Sequence, residues 1–211
     1  MRGGNLLDVG CGEDPFLEVQ KKRGYNVYGT DVDKTAREHF KKLGIEVRIG
    51  NLQNVKWSKN FFDVITLWHT LEHDVKPQET LKECYKILKD SGTLIISVPN
   101  FNSLERKIFN EHWIYLSPPR HIFQFTPESL SKVLADVGFR VYKVKYPGFS
   151  PQLWARSFLV FLEERKLIKL NSISRIFLTL VLFPFVIPLN LVSTLLKTGS
   201  VLDVYAEKKT P

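Results

Sequence analysis

Short apolar runs alternate along this chain with longer stretches in which apolar residues recur every three or four positions. The first pattern is typical of buried strands and the second of amphipathic helices, so strands and helices are predicted in turn. Gly24 and Gly44 stand where helices should end, and Pro77 and Pro127 stand where helices should begin, with Thr126 as a cap. The predicted strands are Asn5–Val9, Asn26–Thr30, Glu46–Ile49, Phe62–Leu67, Thr93–Val98, Arg140–Tyr146 and Val201–Glu207. This order predicts an α/β fold with a mostly parallel sheet, helices on both faces and a ligand site at the carboxyl ends of the strands.

The first predicted strand leads into a turn that contains two glycines, Gly10 and Gly12. Without a Cβ, these residues let the backbone take a positive φ and approach a ligand closely, and the N–H groups of the next helix can face that ligand. The second predicted strand leads to Asp31, nineteen residues beyond Gly12, where a carboxylate can accept hydrogen bonds from ribose hydroxyls. These features predict a nucleoside-cofactor site. The alternatives are plain helix packing by the turn and helix capping by Asp31.

A dinucleotide cofactor fits this turn less well than a cofactor without phosphate. The dinucleotide fingerprint has a third glycine for close packing of helix on strand, but here Glu13, Asp14 and Pro15 follow Gly12. Acidic side chains at that point would repel a pyrophosphate lying on the helix N-terminus. A cofactor with a cationic centre suits the turn better.

Three stretches carry a resemblance to a known family: LLDVGCG at the first turn, VYGTDVD after the second strand, and FFDVITLWHTLEHDVKPQETLKECYKILKDSGTLIISVPN. Over roughly residues 5–146 the sequence resembles the class I S-adenosylmethionine-dependent methyltransferases of type 11, 12 or 23, in their ubiquinone- and polysaccharide-associated branches. The resemblance implies a Rossmann-like seven-stranded sheet whose last strand is antiparallel, and S-adenosyl-L-methionine as the cofactor. It also implies helices ahead of the first strand, which the sequence does not display. Either the sequence is truncated there or another segment supplies the lid.

The resemblance also implies cofactor roles for individual residues. Gly10 and Gly12 would pass under the methionine and ribose portions, Asp8 would orient the amino group, and Asp31 would hold the ribose. The remaining contacts would come from Val32, Asn51 and Leu52 on the adenine side and from Leu67, Trp68 and His69 on the methionine side. A place in the core is an equal alternative for Trp68.

A proline-punctuated insertion, residues 100–126, follows the fifth strand and is expected to contact the methyl acceptor. Its polar and aromatic residues suit a lid with polar tips on an aromatic wall. The candidate acceptor contacts are His112, Trp113, Tyr115 and Arg120. His121 is the predicted general base because an imidazole titrates near neutrality, and His73, His112 and Tyr115 are the reserves. Anchoring of the loop by a backbone hydrogen bond is the alternative for His121.

The segment His69-Thr-Leu-Glu72-His73 also matches an inverted zinc-peptidase pattern, in which two histidines four residues apart share a helix face. The preceding strand and the nearby Pro77 argue against a helix there, so no metal is expected. A divalent ion that assists an acceptor hydroxyl is the minor alternative.

Charge and hydrophobicity are concentrated near the C-terminal end. Residues 140–175 contain eight basic and two acidic residues, most of the chain's net charge of +8, and the 21 residues Ile176–Leu196 contain no charged residue. Basic flanks around an apolar stretch favour an anionic membrane surface, and no nucleic-acid partner is expected.

A stretch of 21 apolar residues is long enough to cross a bilayer, but the predicted last strand must pair with Arg140–Tyr146 in one sheet, which excludes a single crossing. Residues 150–199 are therefore predicted to form a helical hairpin inserted before the last strand, with a first arm near Gln152–Leu170. Pro184 and Pro188 are expected to break the second arm and turn the chain back. Residues 172–197 would contact a membrane or a second copy, with a lid over the cofactor as the alternative.

Chain length predicts a single domain over residues 1–211, which the resemblance implies is a methyltransferase domain. The two cysteines and the lack of a signal peptide predict a reducing, cytoplasmic location. The predicted function is methyl transfer to an oxygen of a small-molecule or lipid-linked glycan acceptor. A quinone-type O-methyltransferase, and a non-catalytic scaffold that keeps the fold, are the alternatives.

Overall fold

The structure is a computed structural model that describes residues 3–147 and 151–209. Seven strands form one sheet: β1 (Asn5–Val9), β2 (Asn26–Asp31), β3 (Glu46–Ile49), β4 (Phe62–Trp68), β5 (Leu88–Pro99), β6 (Phe139–Lys145) and β7 (Val201–Lys208). The strand order is β3-β2-β1-β4-β5-β7-β6. The first five strands run parallel, and β7 inserts antiparallel between β5 and β6. This arrangement confirms the predicted Rossmann-like sheet with an antiparallel last strand.

The strand order reverses between β1 and β4, and ligands of open α/β sheets bind outside the carboxyl ends of the strands at such a point. β5 begins at Leu88, five residues earlier than predicted. Leu88 pairs with Phe62, and Thr93 pairs with Val64. The shift of register between these two pairs accommodates the extra residues 89–92 in β5.

In the part of the chain that the structure describes, seven α-helices accompany the strands: α1 (Phe16–Lys22), α2 (Lys34–Lys41), α3 (Pro77–Ile87), α4 (Leu104–Phe109), α5 (Pro127–Val137), α6 (Pro151–Glu164) and α7 (Ser172–Leu195). The predicted end signals are confirmed. Gly24 and Gly44 follow α1 and α2 with positive φ, Pro77 opens α3, and Thr126 caps α5 by accepting a hydrogen bond from the N–H of Ser129.

The sheet is buried on both faces. Leu6 belongs to an apolar cluster with Leu17 of α1 and Phe40 of α2, whereas Leu7 belongs to a cluster with Leu81 of α3 on the opposite face. Successive residues of a strand point to opposite faces, so one short strand contributes to both cores.

α6 and α7 form the predicted helical insertion between β6 and β7, although residue 150, where it was predicted to begin, lies outside the described residues. The two helices pack together through Trp154 and Val186. The prediction that prolines turn the chain back was wrong, because α7 continues through Pro184 and Pro188 and the reversal lies between α6 and α7. By length and composition, α7 could cross a membrane.

Candidate active site

The turn after β1 has a backbone that requires glycine. Gly10 has a φ of +72°, and its N–H donates to the carbonyl of Thr30 at 2.8 Å. A Cβ on Gly10 would lie 2.5 Å from Oγ1 of Thr70, a hydroxyl that is itself fixed by donating to the carbonyl of Val9 at 3.0 Å. Gly12 has a φ of +49°, and a Cβ there would meet nothing within 4 Å. The turn therefore leaves open space directly above its second glycine.

Asp31 at the end of β2 faces this turn. Its Oδ2 accepts a hydrogen bond from the N–H of Gly12 at 2.8 Å, and its Oδ1 accepts one from the N–H of Asp33 at 2.8 Å. Each carboxylate oxygen keeps a lone pair for a ligand hydroxyl. Asp33, not Asp31, caps α2 by accepting from the N–H of Thr35 at 2.9 Å, so the capping alternative for Asp31 was wrong.

Two clefts meet at the glycine turn and share Gly10 and His69. The first has a volume of about 410 Å³ and is lined by the predicted residues Asp31, Val32, Asn51, Leu52 and His69, together with Thr30, Gly50, Thr70, His73, Asp74 and Val75 among others. The second is lined by the predicted residues Asp8 and Trp68 together with Cys11, Asp14 and Phe16. An elongated nucleoside cofactor can cross the turn with one end in each cleft.

Besides Gly12, the predicted cofactor contact that lines neither cleft is Leu67. Its side chain is fully buried in the core on the α3 side of the sheet and lines neither cleft. Trp68, the next residue along β4, instead lines the second cleft and makes an edge contact with Phe16, their ring centroids 5.5 Å apart.

Asp8 is a buried carboxyl group at the base of the second cleft. It accepts a hydrogen bond from the hydroxyl of Thr66 at 2.6 Å, and its residue is 3% exposed. Burial raises the pKa of Asp8 from 3.8 to about 7, and the charges of Asp14 and Asp31 add to that rise. An ammonium group in this cleft would favour the ionised carboxylate.

The segment after β4 does not form the continuous helix that a zinc-peptidase motif needs. His69 has a φ of +50°, and only Leu71–His73 form a short 3-10 turn. The Nδ1–H of His69 donates to Oε1 of the buried Glu72 at 3.1 Å. Oε2 of Glu72 has no hydrogen-bond partner among the described residues. Glu72 was not predicted as a site residue, although its place in the histidine-rich pattern was the available signal.

His121 lies beside His73, with their ring centroids 4.7 Å apart. The Nδ1–H of His121 donates to the carbonyl of Tyr115 at 2.6 Å, and the Nδ1–H of His73 donates to the carbonyl of Arg120 at 2.8 Å. Burial lowers the pKa of His121 below its usual value. The ring is therefore neutral near pH 7, with its lone pair on Nε2, so the anchoring bond also fixes the tautomer that a general base needs.

The rings of His69, Tyr115 and His121 are nearly parallel. The centroids of His69 and Tyr115 are 5.7 Å apart with 15° between the planes, and those of Tyr115 and His121 are 6.1 Å apart with 21°. They form an aromatic wall in which His69 lines both clefts, whereas Tyr115 and His121 line neither.

The other predicted acceptor contacts hold the insertion in place. His112 donates from Nδ1 to Oε2 of Glu164 in α6 at 2.5 Å, and Trp113 is buried against Phe101 and Tyr115. Arg120 contributes its carbonyl to His73, and its side chain is exposed. None of these three residues lines either cleft.

Glu72, His73 and His121 each offer one ligand atom, and these atoms lie within 4.8 Å of one another. One carboxylate and two imidazoles are a ligand set that divalent transition metals accept. The same cluster can also work without an ion, because a buried carboxylate stabilises an imidazolium beside it.

Comparison with known proteins agrees with this geometry. A family model described as "Methyltransferase domain" matches residues 1–144. A ubiquinone biosynthesis O-methyltransferase from Coxiella burnetii is 32% identical over 108 residues, which are 48% of this chain and 46% of that protein, so the chain spans about half the length of this curated relative. One from Cereibacter sphaeroides is 27% identical over 168 residues, 74% of this chain and 68% of that protein. A SAM-dependent methyltransferase structure from Archaeoglobus fulgidus superposes with a TM-score of 0.65 at 25% identity, covering 97% of this chain and 86% of that one.

Proposed function

Because this chain belongs to the class I S-adenosylmethionine-dependent methyltransferases, we propose that it methylates a hydroxyl oxygen of a quinone-like ring, with His121 as the general base. S-adenosylmethionine is the cofactor, and the chain is an enzyme, so the scaffold alternative is not supported. The observation that carries the proposal is the position of His121, whose Nδ1 is bonded to the carbonyl of Tyr115 and whose ring lies against that of His73, a residue that lines the first cleft.

The cofactor supplies an electrophilic methyl group on a sulfonium, which an acceptor oxygen can displace in line. Asp31 would accept hydrogen bonds from the ribose hydroxyls. The open space above Gly12 would let the nucleoside lie directly against the backbone of the turn. Asp8 would pair with the ammonium at the methionine end, and Trp68 would exclude water from that end. These residues hold the reacting atoms in line, which is the main requirement of this displacement.

In proton transfer, His121 would be the base and Glu72 would stabilise its protonated form. Nε2 of His121 would accept the hydroxyl proton as the acceptor oxygen attacks, because its lowered pKa keeps it unprotonated near pH 7. The charge of Glu72 favours the imidazolium that then forms. His73, which lines the first cleft and contacts His121, would orient the acceptor hydroxyl.

Two observations favour a flat, amphipathic acceptor. The Coxiella and Cereibacter relatives carry the name ubiquinone biosynthesis O-methyltransferase, which supports oxygen as the acceptor atom. The parallel rings of His69 and Tyr115 offer a surface on which an aromatic ring can stack. A lipid-linked glycan is the second candidate, and the apolar surface of α7 suits either acceptor through its lipid part.

We further propose a cytoplasmic enzyme that is peripherally attached to a membrane through residues 172–197. A homodimer through the same residues is the competing arrangement. The exposed apolar side chains of α7 support an association of one of these kinds.

The decisive experiment is a methyl-transfer assay with labelled S-adenosylmethionine and a hydroxyquinone or catechol acceptor. His121→Ala should lower kcat by roughly 10²- to 10⁴-fold and leave cofactor affinity unchanged, because the ring acts on the acceptor. His39→Ala is the matched control, since His39 lies on α2 and contacts Glu18 and Phe40, away from the turn after β4. In the wild type, the low-pH limb of kcat should lie below about pH 6.5, the ordinary pKa of histidine.

A loss of less than tenfold in His121→Ala would assign the residue to loop anchoring. A chelator distinguishes the metal alternative. The base mechanism predicts unchanged activity in EDTA, whereas a loss that an added divalent cation restores would favour an ion held by Glu72, His73 and His121.

A further inference from the structure

The outer face of α7 is a large apolar surface that the domain leaves uncovered. Ile173 is 80% exposed, Phe177 64% and Leu195 81%. The buried residues Val186, Asn190 and Ser193 recur at helical spacing and face the domain, so the exposed apolar residues lie mainly on the opposite side. Only 17% of the most apolar window of α7 is buried. A patch of this extent is typical of a contact with a membrane or another protein.

The surface does not serve as a lid over the cofactor. Among the described residues, the linings of both cofactor clefts come from the strands, α1, α3 and their loops, and include none of α6 or α7. The lid alternative raised from the sequence is therefore not supported.

Both helices of the hairpin are fastened to α4 or the segment that follows it. Ser157 of α6 donates to Glu105 of α4 at 2.5 Å and accepts from the N–H of Ile114 at 3.1 Å. Just after the C-terminal end of α7, the carbonyl of Thr198 accepts from the N–H of Leu104 at 3.0 Å.

The turn between α6 and α7 is held as well. Glu163 accepts from Arg175 at 2.9 Å, and Glu164 accepts from His112 at 2.5 Å. Since α7 begins and ends on the domain, it can lie along a bilayer but cannot cross one while the fold stays intact.

The charges around the surface match anionic lipid. From Arg165 to Ser200 the sequence has five basic residues and no acidic one. Lys166 and Lys169 are exposed in the turn before α7, and Lys197 is exposed just after it. Apolar side chains between basic ends are typical of helices that lie in the interface of anionic membranes. A second copy would bring these basic ends together, and the acids beside them, Glu163 and Glu164, already pair with Arg175 and His112, which disfavours a dimer.

We propose that the exposed face of α7, with its basic ends, is a docking surface for an anionic lipid bilayer on which α7 lies in the membrane plane. This inference gives the membrane part of the proposed function a surface and an orientation. It also concerns the acceptor, because α6 holds the insertion that carries Tyr115 and His121 through its bonds to Ile114 and His112. Docking would thus hold the aromatic wall close to the lipid phase in which a quinone-like or lipid-linked acceptor resides.

Vesicle flotation of the full chain tests the surface. The wild type should float with vesicles of phosphatidylcholine and phosphatidylglycerol, less with phosphatidylcholine alone, and less in high salt. Lys166→Glu/Lys169→Glu should weaken binding to the anionic vesicles by roughly 10- to 30-fold. Phe177→Glu/Leu180→Glu should abolish it. The matched controls are Lys34→Glu/Lys41→Glu on α2 and Val19→Glu on α1, whose exposed side chains lie away from the hairpin.

Variants are compared only when S-adenosylhomocysteine binding shows that they are folded. Equal flotation of the wild type and both hairpin variants would overturn the proposal. So would sedimentation that detects a dimer lost in Phe177→Glu/Leu180→Glu, without vesicle binding by the wild type. Methyl transfer to a detergent-solubilised acceptor should survive in the hairpin variants, so a failure of docking and a failure of the proposed reaction are separable.

Discussion

Asp31 fixes the glycine turn by accepting from Gly12 and keeps lone pairs that, in the proposed function, would accept from the ribose hydroxyls. Asp31→Ala should weaken S-adenosylhomocysteine binding by roughly 2–4 kcal/mol, because two charge-assisted hydrogen bonds to the ribose would be lost. Isothermal calorimetry measures the change, and thermal unfolding checks that the turn survives loss of the bonds to Gly12 and Asp33.

Asp33→Ala is the control for Asp31→Ala, since it removes the cap of α2 two residues away and should leave cofactor affinity intact. An unchanged affinity in a folded Asp31→Ala protein would contradict the ribose assignment.

Residues with local signals were predictable, and residues that depend on distant partners were not. The glycine turn and Asp31 are readable from spacing alone. Leu67 and Trp68 are both apolar in a strand covered on both faces, so the sequence could not tell which one faces the ligand. The bond of His112 to Glu164 could not be predicted, because the two residues lie 52 positions apart along the chain.

The two glycines of the turn between β1 and α1 are expected to have different roles: Gly10 avoids a clash inside the fold, and Gly12 leaves space for the cofactor. Gly10→Ala should destabilise the fold by about 2 kcal/mol or more, since φ is positive and the new Cβ would collide with the fixed hydroxyl of Thr70. Gly12→Ala should cost about 1 kcal/mol from φ alone, because a Cβ there meets nothing, but it would fill the space that the cofactor needs.

Urea unfolding and S-adenosylhomocysteine titration on both glycine variants distinguish these effects. The expected order of stability is wild type, Gly12→Ala, Gly10→Ala. Full cofactor affinity in Gly12→Ala would show that the open space above this residue is not part of the site.

The hairpin was predictable as an insertion because a sheet cannot have its last two strands on opposite sides of a membrane. Its internal shape was not, since proline was expected to end the helix. Pro184 and Pro188 both lie on the exposed side of α7, whereas Val186 and Asn190 are buried on the inner side. Packing of the inner side keeps the helix continuous where local propensity would interrupt it.

At the scale of the whole molecule, the sheet order places separate chain segments at one edge. β1, β2 and β4 end beside one another, so the glycine turn, Asp31 and His69 converge although 59 residues separate the first and last of them. The sequence predicted this edge because alternating strands and helices admit few topologies. The contact of His73 with His121 required the fold of the insertion, for which no local pattern exists.

Asp8 links this site to the stability of the whole chain. Its pKa is about 7 in the folded protein against 3.8 ordinarily, so the folded state keeps a proton that the unfolded state loses between these values. The free energy of unfolding should therefore fall as pH rises from about 4 to 7, by on the order of 4 kcal/mol. Asp8→Asn should remove this pH dependence and be more stable than the wild type at pH 8.

Cofactor binding should shift Asp8 from the protonated to the ionised form, because the ammonium of the cofactor stabilises the carboxylate. S-adenosylhomocysteine affinity should then rise from pH 6 to pH 8 and release a proton near pH 7. Calorimetry in two buffers of different ionisation enthalpy measures that proton. Asp8→Asn should bind more weakly and release none, whereas proton release that persists in Asp8→Asn would assign the linkage to another group.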